Sequence, residues 1–136
     1  MKPTLLIAEN DPALVELYRQ HFVKNGFRVL TASDGIACLA IIRSESPAVL
    51  VVALEMPWGA GQGVMDGLRL EARKRPIPSV ILTGFAPQEH VADWTDPFFV
   101  RYFNKPVAMP ELLQCVRSAQ TQPHDWRRLR VGQSLD

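Results

Sequence analysis

Five short apolar runs, each followed by a segment with helical spacing, constrain the fold of this chain more than any other feature of it. Leu5 to Ala8 reads as a strand buried on both faces. Asp11 and Pro12 follow, an N-cap and a first-turn proline, and Leu14, Leu17, Tyr18 and Phe22 then recur at helical spacing up to a stop at Gly26. Phe27 to Thr31 gives a second strand, and Ser33 or Asp34 caps a helix carrying Ile36, Leu39, Ala40 and Arg43 that Pro47 ends. Ala48 to Leu54 is the most continuously apolar strand, which suits the sheet centre. A glycine-rich loop, Trp58 to Gly63, leads to a short helix from about Val64 to Lys74, broken by Pro76 and Pro78. Ser79 to Leu82 is strand four, Pro87 opens a short helix ending near Trp94, and Phe98 to Phe103 is strand five. The last helix starts at Pro110 and Glu111, with Leu112, Leu113, Val116 and Ala119 inward. Five βα units predict an α/β fold: a five-stranded parallel sheet, doubly wound, with helices on both faces.

With 136 residues there is room for one domain, expected over residues 1–120. Residues 121–136, basic and holding Trp126, read as a short flexible tail, with partner docking as the other reading. The net charge of +1 provides no long-range pull toward nucleic acid or an anionic membrane. The apolar start meets acidic residues too soon for a signal peptide, and no run approaches a membrane span, so a cytoplasmic location is expected. Cys38 and Cys115 lack metal-ligand spacing and read as two buried thiols.

Ligands of such sheets bind outside the carboxyl ends of the strands. Those ends here are Ala8-Glu9-Asn10-Asp11, Ala53-Leu54-Glu55-Met56-Pro57, Leu82-Thr83-Gly84 and Tyr102-Phe103-Asn104-Lys105-Pro106. An acidic cluster, a hydroxyl and a Lys-Pro in this order resemble the receiver (CheY-like) domains of bacterial response regulators, over about residues 4 to 120. The resemblance implies a flavodoxin-like three-layer sandwich and two-component phosphorelay signalling. There, an aspartate ending strand three takes a phosphoryl group from a histidine kinase, and an acidic pair after strand one helps hold Mg²⁺. A lysine and a Ser/Thr hydroxyl receive the phosphoryl oxygens, and an aromatic residue on strand five changes rotamer.

Carried onto this chain, the resemblance matches Lys105 to the lysine, Thr83 to the hydroxyl residue and Tyr102 to the switch aromatic. Glu9 and Asn10 stand for the acidic pair, so one carboxylate has become an amide. Four residues before Pro57, where the acceptor aspartate is expected, stands Ala53. A methyl group has no lone pair to attack with. The site therefore reads as a degenerate pocket of Glu9, Asn10, Glu55, Thr83 and Lys105. Lys105 is expected to pair with Glu9, a cis peptide is implied before Pro106, and Mg²⁺ binding through Glu9 is expected to be weak or absent.

The expected function is a pseudo-receiver, not an enzyme and without a cofactor, acting through protein contacts independently of phosphorylation. A histidine kinase or another signalling protein is the expected partner, with a homodimer through the expected fourth helix, fifth strand and last helix as the other. A second reading keeps phosphate responsiveness, through Glu55 as a displaced acceptor about 7 Å along the chain or through an anion held at Thr83 and Lys105. A third, an FMN carrier, needs a phosphate-cradling loop where Glu9-Asn10-Asp11 offers repulsion. Asp11 reads as an N-cap rather than a ligand. His21, His90 and His124 have no partner at metal-ligand spacing. The Trp58 loop is expected to sit over the pocket or face a partner.

Overall fold

The protein is seen here as a computed structural model, which describes residues 1–56, 61–85 and 95–121. In chain order the elements are β1 (Thr4–Ala8), α1 (Pro12–Lys24), β2 (Arg28–Ala32), α2 (Gly35–Glu45), β3 (Val49–Ala53), α3 (Gly61–Glu71), β4 (Ser79–Gly84), β5 (Phe99–Asn104) and α4 (Met109–Ala119). All five strands are parallel, in the order β2-β1-β3-β4-β5, which puts the fully buried β3 in the middle. The expected helix from Pro87 to Trp94, residues 58–60 of the expected glycine-rich loop and the tail from residue 122 lie outside the described residues.

Alternation along each strand builds two cores. Leu6, Leu50, Val52, Val80 and Leu82 point to one face, where α2 and α3 bring Cys38, Ile42, Met65 and Leu68. Leu5, Ile7, Val49, Val51 and Ile81 point to the other, where α1 and α4 bring Tyr18, Phe22, Leu112 and Val116. β1, β3 and β4 thus spend nearly every side chain on one core or the other and read as apolar runs, while the edge strands β2 and β5 expose several of theirs.

Local chemistry sets the helix ends. The Asp11 carboxylate accepts from the backbone N–H of Ala13 (2.9 Å) and Leu14 (3.4 Å), and Pro12 opens α1. Asp34, one of two residues the sequence offered as the cap of α2, accepts from Ala37 N–H at 2.8 Å. At Gly26 the chain turns with φ 93°, which only glycine adopts cheaply.

Two expectations need correcting. The inward face of α2 is Gly35, Cys38 and Ile42, while Ile36 stands 68% exposed and Ala40 and Arg43 face out. Helix α3 spans Gly61–Glu71 rather than 64–74. Gly61 and Gly63 lie within its first turn, and after Glu71 the chain tightens into turns in which Lys74 and Arg75 N–H both reach the Glu71 carbonyl. Those turns, not Pro76, end the helix.

Three contacts fix α3. A Cβ on Gly67 would stand 2.5 Å from Leu39 Cδ1, so the glycine is what lets α2 and α3 approach this closely. The buried Glu71 carboxylate meets Arg43 Nε at 2.7 Å and Arg75 Nε at 3.4 Å. Arg69 clamps Asp96, just ahead of β5, with two hydrogen bonds of 2.9 and 2.7 Å.

Candidate functional site

The carboxyl ends of β1, β3, β4 and β5 converge on one rim of the sheet. Ala53, the last residue of β3, lies directly opposite Thr83 in the β3–β4 ladder, and each is 1% exposed. At the bottom of this rim a methyl therefore faces a hydroxyl.

Lys105 enters from the turn after β5, joined to Pro106 by a cis peptide and anchored by its own N–H on the Gly84 carbonyl at 2.9 Å. Its Nζ stands 2.7 Å from Glu9 Oε1, and the two side chains are 4% and 2% exposed. That oxygen meets the ammonium as an ionic contact without hydrogen-bond alignment, while Oε2 accepts from the N–H of Asn10 (3.0 Å) and Asp11 (3.1 Å). Two backbone dipoles and one ammonium thus compensate the buried carboxylate. Tyr18 of α1 packs close by, and burial, then the charges of Glu9 and Asp11, pushes its hydroxyl up to about 12.

A second carboxylate, Glu55, reaches the same lysine from the bend after β3. Glu55 Oε1 is 3.8 Å from Lys105 Nζ, and its two oxygens accept from Phe85 N–H at 3.3 and 3.2 Å. The Phe85 ring lies 5.3 Å from the same ammonium, though the residue is 69% exposed. Between them sits Gly84. A Cβ there would be 2.7 Å from Glu55 Oε2 and 3.0 Å from the Tyr102 hydroxyl. Tyr102 itself is buried, 8% exposed, and burial followed by the Glu55 charge raises its pKa.

The structure thus brings together Glu9, Glu55, Thr83, Lys105, Tyr102 and Ala53 from positions spread over nearly the whole chain. Asn10 is exposed at the rim and offers its backbone N–H to Glu9, and Asp11 is used as a helix cap. His21 packs edge-on to Phe22, away from these groups, and His90, His124, Trp58 and Trp94 lie outside the described residues. Cys38 is buried as expected. Cys115 is only half-buried, in an open groove between β5 and α4 that Val100, Arg101, Glu111 and Ser118 also line. Burial pushes the Cys38 thiol up to about 12 and raises that of Cys115.

Sequence reasoning named Gly84 as part of the strand-four end without giving it a role, and passed over Phe85. Phe85 acts through its backbone N–H, which every non-proline residue carries, and Gly84 acts by lacking a side chain. Only the Thr-Gly pair just after an apolar run hinted at a close approach there. Among the described residues no three His, Cys, Asp or Glu side chains form a metal-holding group, and no helix is long and apolar enough to cross a membrane.

Comparison with known proteins fits this geometry. Residues 5–117 match the sequence profile of the response regulator receiver domain. The polar-differentiation response regulator DivK of Brucella ovis is 21% identical over 118 residues, covering 87% of this chain and 96% of DivK. The Francisella response regulator 1452 receiver domain superposes with a TM-score of 0.78 at 24% identity, covering 88% of this chain and 98% of that one. The receiver domain of the Pseudomonas aeruginosa sensor histidine kinase PA1611, described with a magnesium ion coordinated in its active site cleft, superposes with a TM-score of 0.76 at 18% identity, covering 90% of this chain and all of that one, 100%.

Proposed function

This chain belongs to the response regulator receiver family of two-component signalling, and on that premise we propose that it is a pseudo-receiver, an interaction module that works without being phosphorylated. The observation that carries this reading is Ala53, a methyl at the end of the central strand, facing Thr83 where attack would have to start. An alkyl side chain cannot form the phosphoryl bond whatever surrounds it.

The charges around Ala53 support the same reading. Lys105 is held against Glu9 at 2.7 Å, so the cation that would meet an incoming phosphoryl group already has a buried partner. A magnesium ion occupies the cleft of the Pseudomonas aeruginosa relative, but the donors on this rim do not suit one. Mg²⁺ wants several oxygen ligands near ideal octahedral geometry, and here Ala53 offers none, Asn10 is an amide and Glu9 is engaged with Lys105. No step of the proposed function passes through a metal or a cofactor, and no bond is made or broken, so the chain is not an enzyme.

Its output is then contact with a protein, either a histidine kinase or another signalling component in the cytoplasm. The groove between β5 and α4 is the described part of the face expected to carry such a contact or a homodimer. Intact-mass analysis of the full chain, after incubation with acetyl phosphate and Mg²⁺ and an acid quench, tests the reading. No phosphate adduct is expected.

One observation favours a second reading. Glu55 carries a half-exposed carboxylate 3.8 Å from Lys105, open to solvent where the carboxylate of Glu9 is buried. An adduct in the same experiment that disappears in Glu55→Gln would replace the silent pocket with a displaced acceptor.

A further inference from the structure

The geometry points to Glu55 as the pocket's own resident anion, a latch whose carboxylate ties together the ends of β3, β4 and β5 and keeps Tyr102 buried. This inference deepens the phosphorylation-independent reading, because it identifies what occupies the place beside Lys105 when no external group does.

Two partners build the latch, so that three strand ends meet at one carboxylate. Glu55 belongs to the bend that leaves β3. Its oxygens accept from Phe85 N–H, just past β4, at 3.3 and 3.2 Å. Its Oε1 lies 3.8 Å from Lys105, just past β5. A carboxylate accepting from a backbone N–H beside an ammonium is a charge-assisted arrangement and outweighs a neutral one. Because Lys105 keeps its tighter contact with Glu9, the latch can open without leaving the lysine unpaired.

Gly84 makes the convergence sterically allowed. The missing Cβ is the point on which Glu55 Oε2 (2.7 Å) and the Tyr102 hydroxyl (3.0 Å) both close, with Leu54 Cβ at 3.2 Å. A side chain there would separate the carboxylate from the tyrosine. The raised Tyr102 pKa, caused by burial and then by the Glu55 charge, is the electrostatic trace of that proximity. Glu55 remains 42% exposed on its side chain, so the latch is reachable from solvent while the Lys105–Glu9 pair beneath it is not. The surroundings of the Tyr102 hydroxyl are thus set by an internal group rather than an added one.

The test uses the full chain in the absence of any phosphoryl donor, so it succeeds or fails independently of the phosphorylation experiment. Glu55→Ala removes the acceptor, and amide hydrogen exchange and the ring signals of Tyr102 are followed by NMR. Exchange at Phe85 is expected to rise about tenfold, while Leu6 and Val51 in the sheet keep their protection. The Tyr102 ring is expected to pass from one environment to exchange between two. Gly84→Ala leaves the Glu55 charge in place but puts a methyl where the carboxylate and hydroxyl meet, and should mobilise Tyr102 in the same way. Phe85 exchange within about twofold of the parent chain in Glu55→Ala, or an unchanged Tyr102 ring in either variant, would overturn the latch.

Discussion

Lys105 and Glu9 form an ion pair that spans the sheet, Nζ to Oε1 at 2.7 Å, between strands β5 and β1 that have β3 and β4 lying between them. Both side chains are almost wholly withdrawn from water, so each depends on the other for its charge to be tolerable. Lys105→Ala is expected to destabilise the fold by about 3–5 kcal/mol in urea unfolding, because it strands a buried carboxylate. Adding Glu9→Gln should recover a large part of that loss. Two independent, additive losses would show that the pair is not coupled.

Restoring an acid at the end of β3 should cost stability until a cation arrives. Ala53 is 1% exposed on a rim that already holds Glu9 and Glu55, so Ala53→Asp adds a third carboxylate with no room for water. The expected result is a lower Tm without divalent ions, raised by Mg²⁺ through mass action. The parent chain should show no such Mg²⁺ response. A matching rise in the parent would mean that its pocket already holds the metal.

Acid should loosen the junction of α2 and α3. The hydrogen bond from Arg43 is the main cause that holds the Glu71 carboxyl below its ordinary value of 4.5, against a desolvation that pushes the other way. A group with a lowered folded-state pKa adds stability that is fully present above 4.5 and fades as the pH falls below it. Glu71→Gln should flatten that acid limb of the stability–pH curve. The effect is expected to stay within about 1 kcal/mol, since Arg43 is half in water.

Crowding rather than charge governs Gly67. Gly67→Ala places a methyl 2.5 Å from Leu39 Cδ1 and is expected to cost about 1–3 kcal/mol. Leu39→Val in the same chain should relieve part of it, which a double-mutant cycle on denaturant midpoints would reveal.

Capping supplies a smaller check. Asp11→Ala removes the acceptor for Ala13 and Leu14 N–H and should cost about 1 kcal/mol, while Asp11→Ser should cost much less.

The sequence was most legible where physics is local or periodic. The central place of β3 could be anticipated from its unbroken apolar run, the cap of α1 could be read from Asp11, and that of α2 was narrowed to Ser33 or Asp34. Lys105 could be paired with Glu9 in advance because, with Ala53 in the acceptor's place, Glu9 is the charge left for it in the pocket. The helical phase of α2 was harder, since Ile36, Ala37, Leu39, Ala40, Ile41 and Ile42 are apolar almost all round and leave no polar face to orient it. The start of α3 was obscured by glycines that usually mark loops. Gly84 and Phe85 were hidden for a deeper reason: one contributes empty space and the other a backbone proton, and neither is written in residue type.

The clamp of Arg69 on Asp96 bears on how copies of this domain can meet. β5 is one of the two edge strands, and its ladder with β4 carries an irregularity between Val80 and Ile81. A free edge of that kind invites another strand to add on, the usual route to aggregation. Here the bulge bends the edge, Arg101 projects a charge from it, and the two hydrogen bonds to Asp96 pin its entry against a one-residue slip that would exchange its two faces. An edge so shaped is a poor template for strand addition, so the β5 side of the sheet is kept from extending into a neighbouring chain.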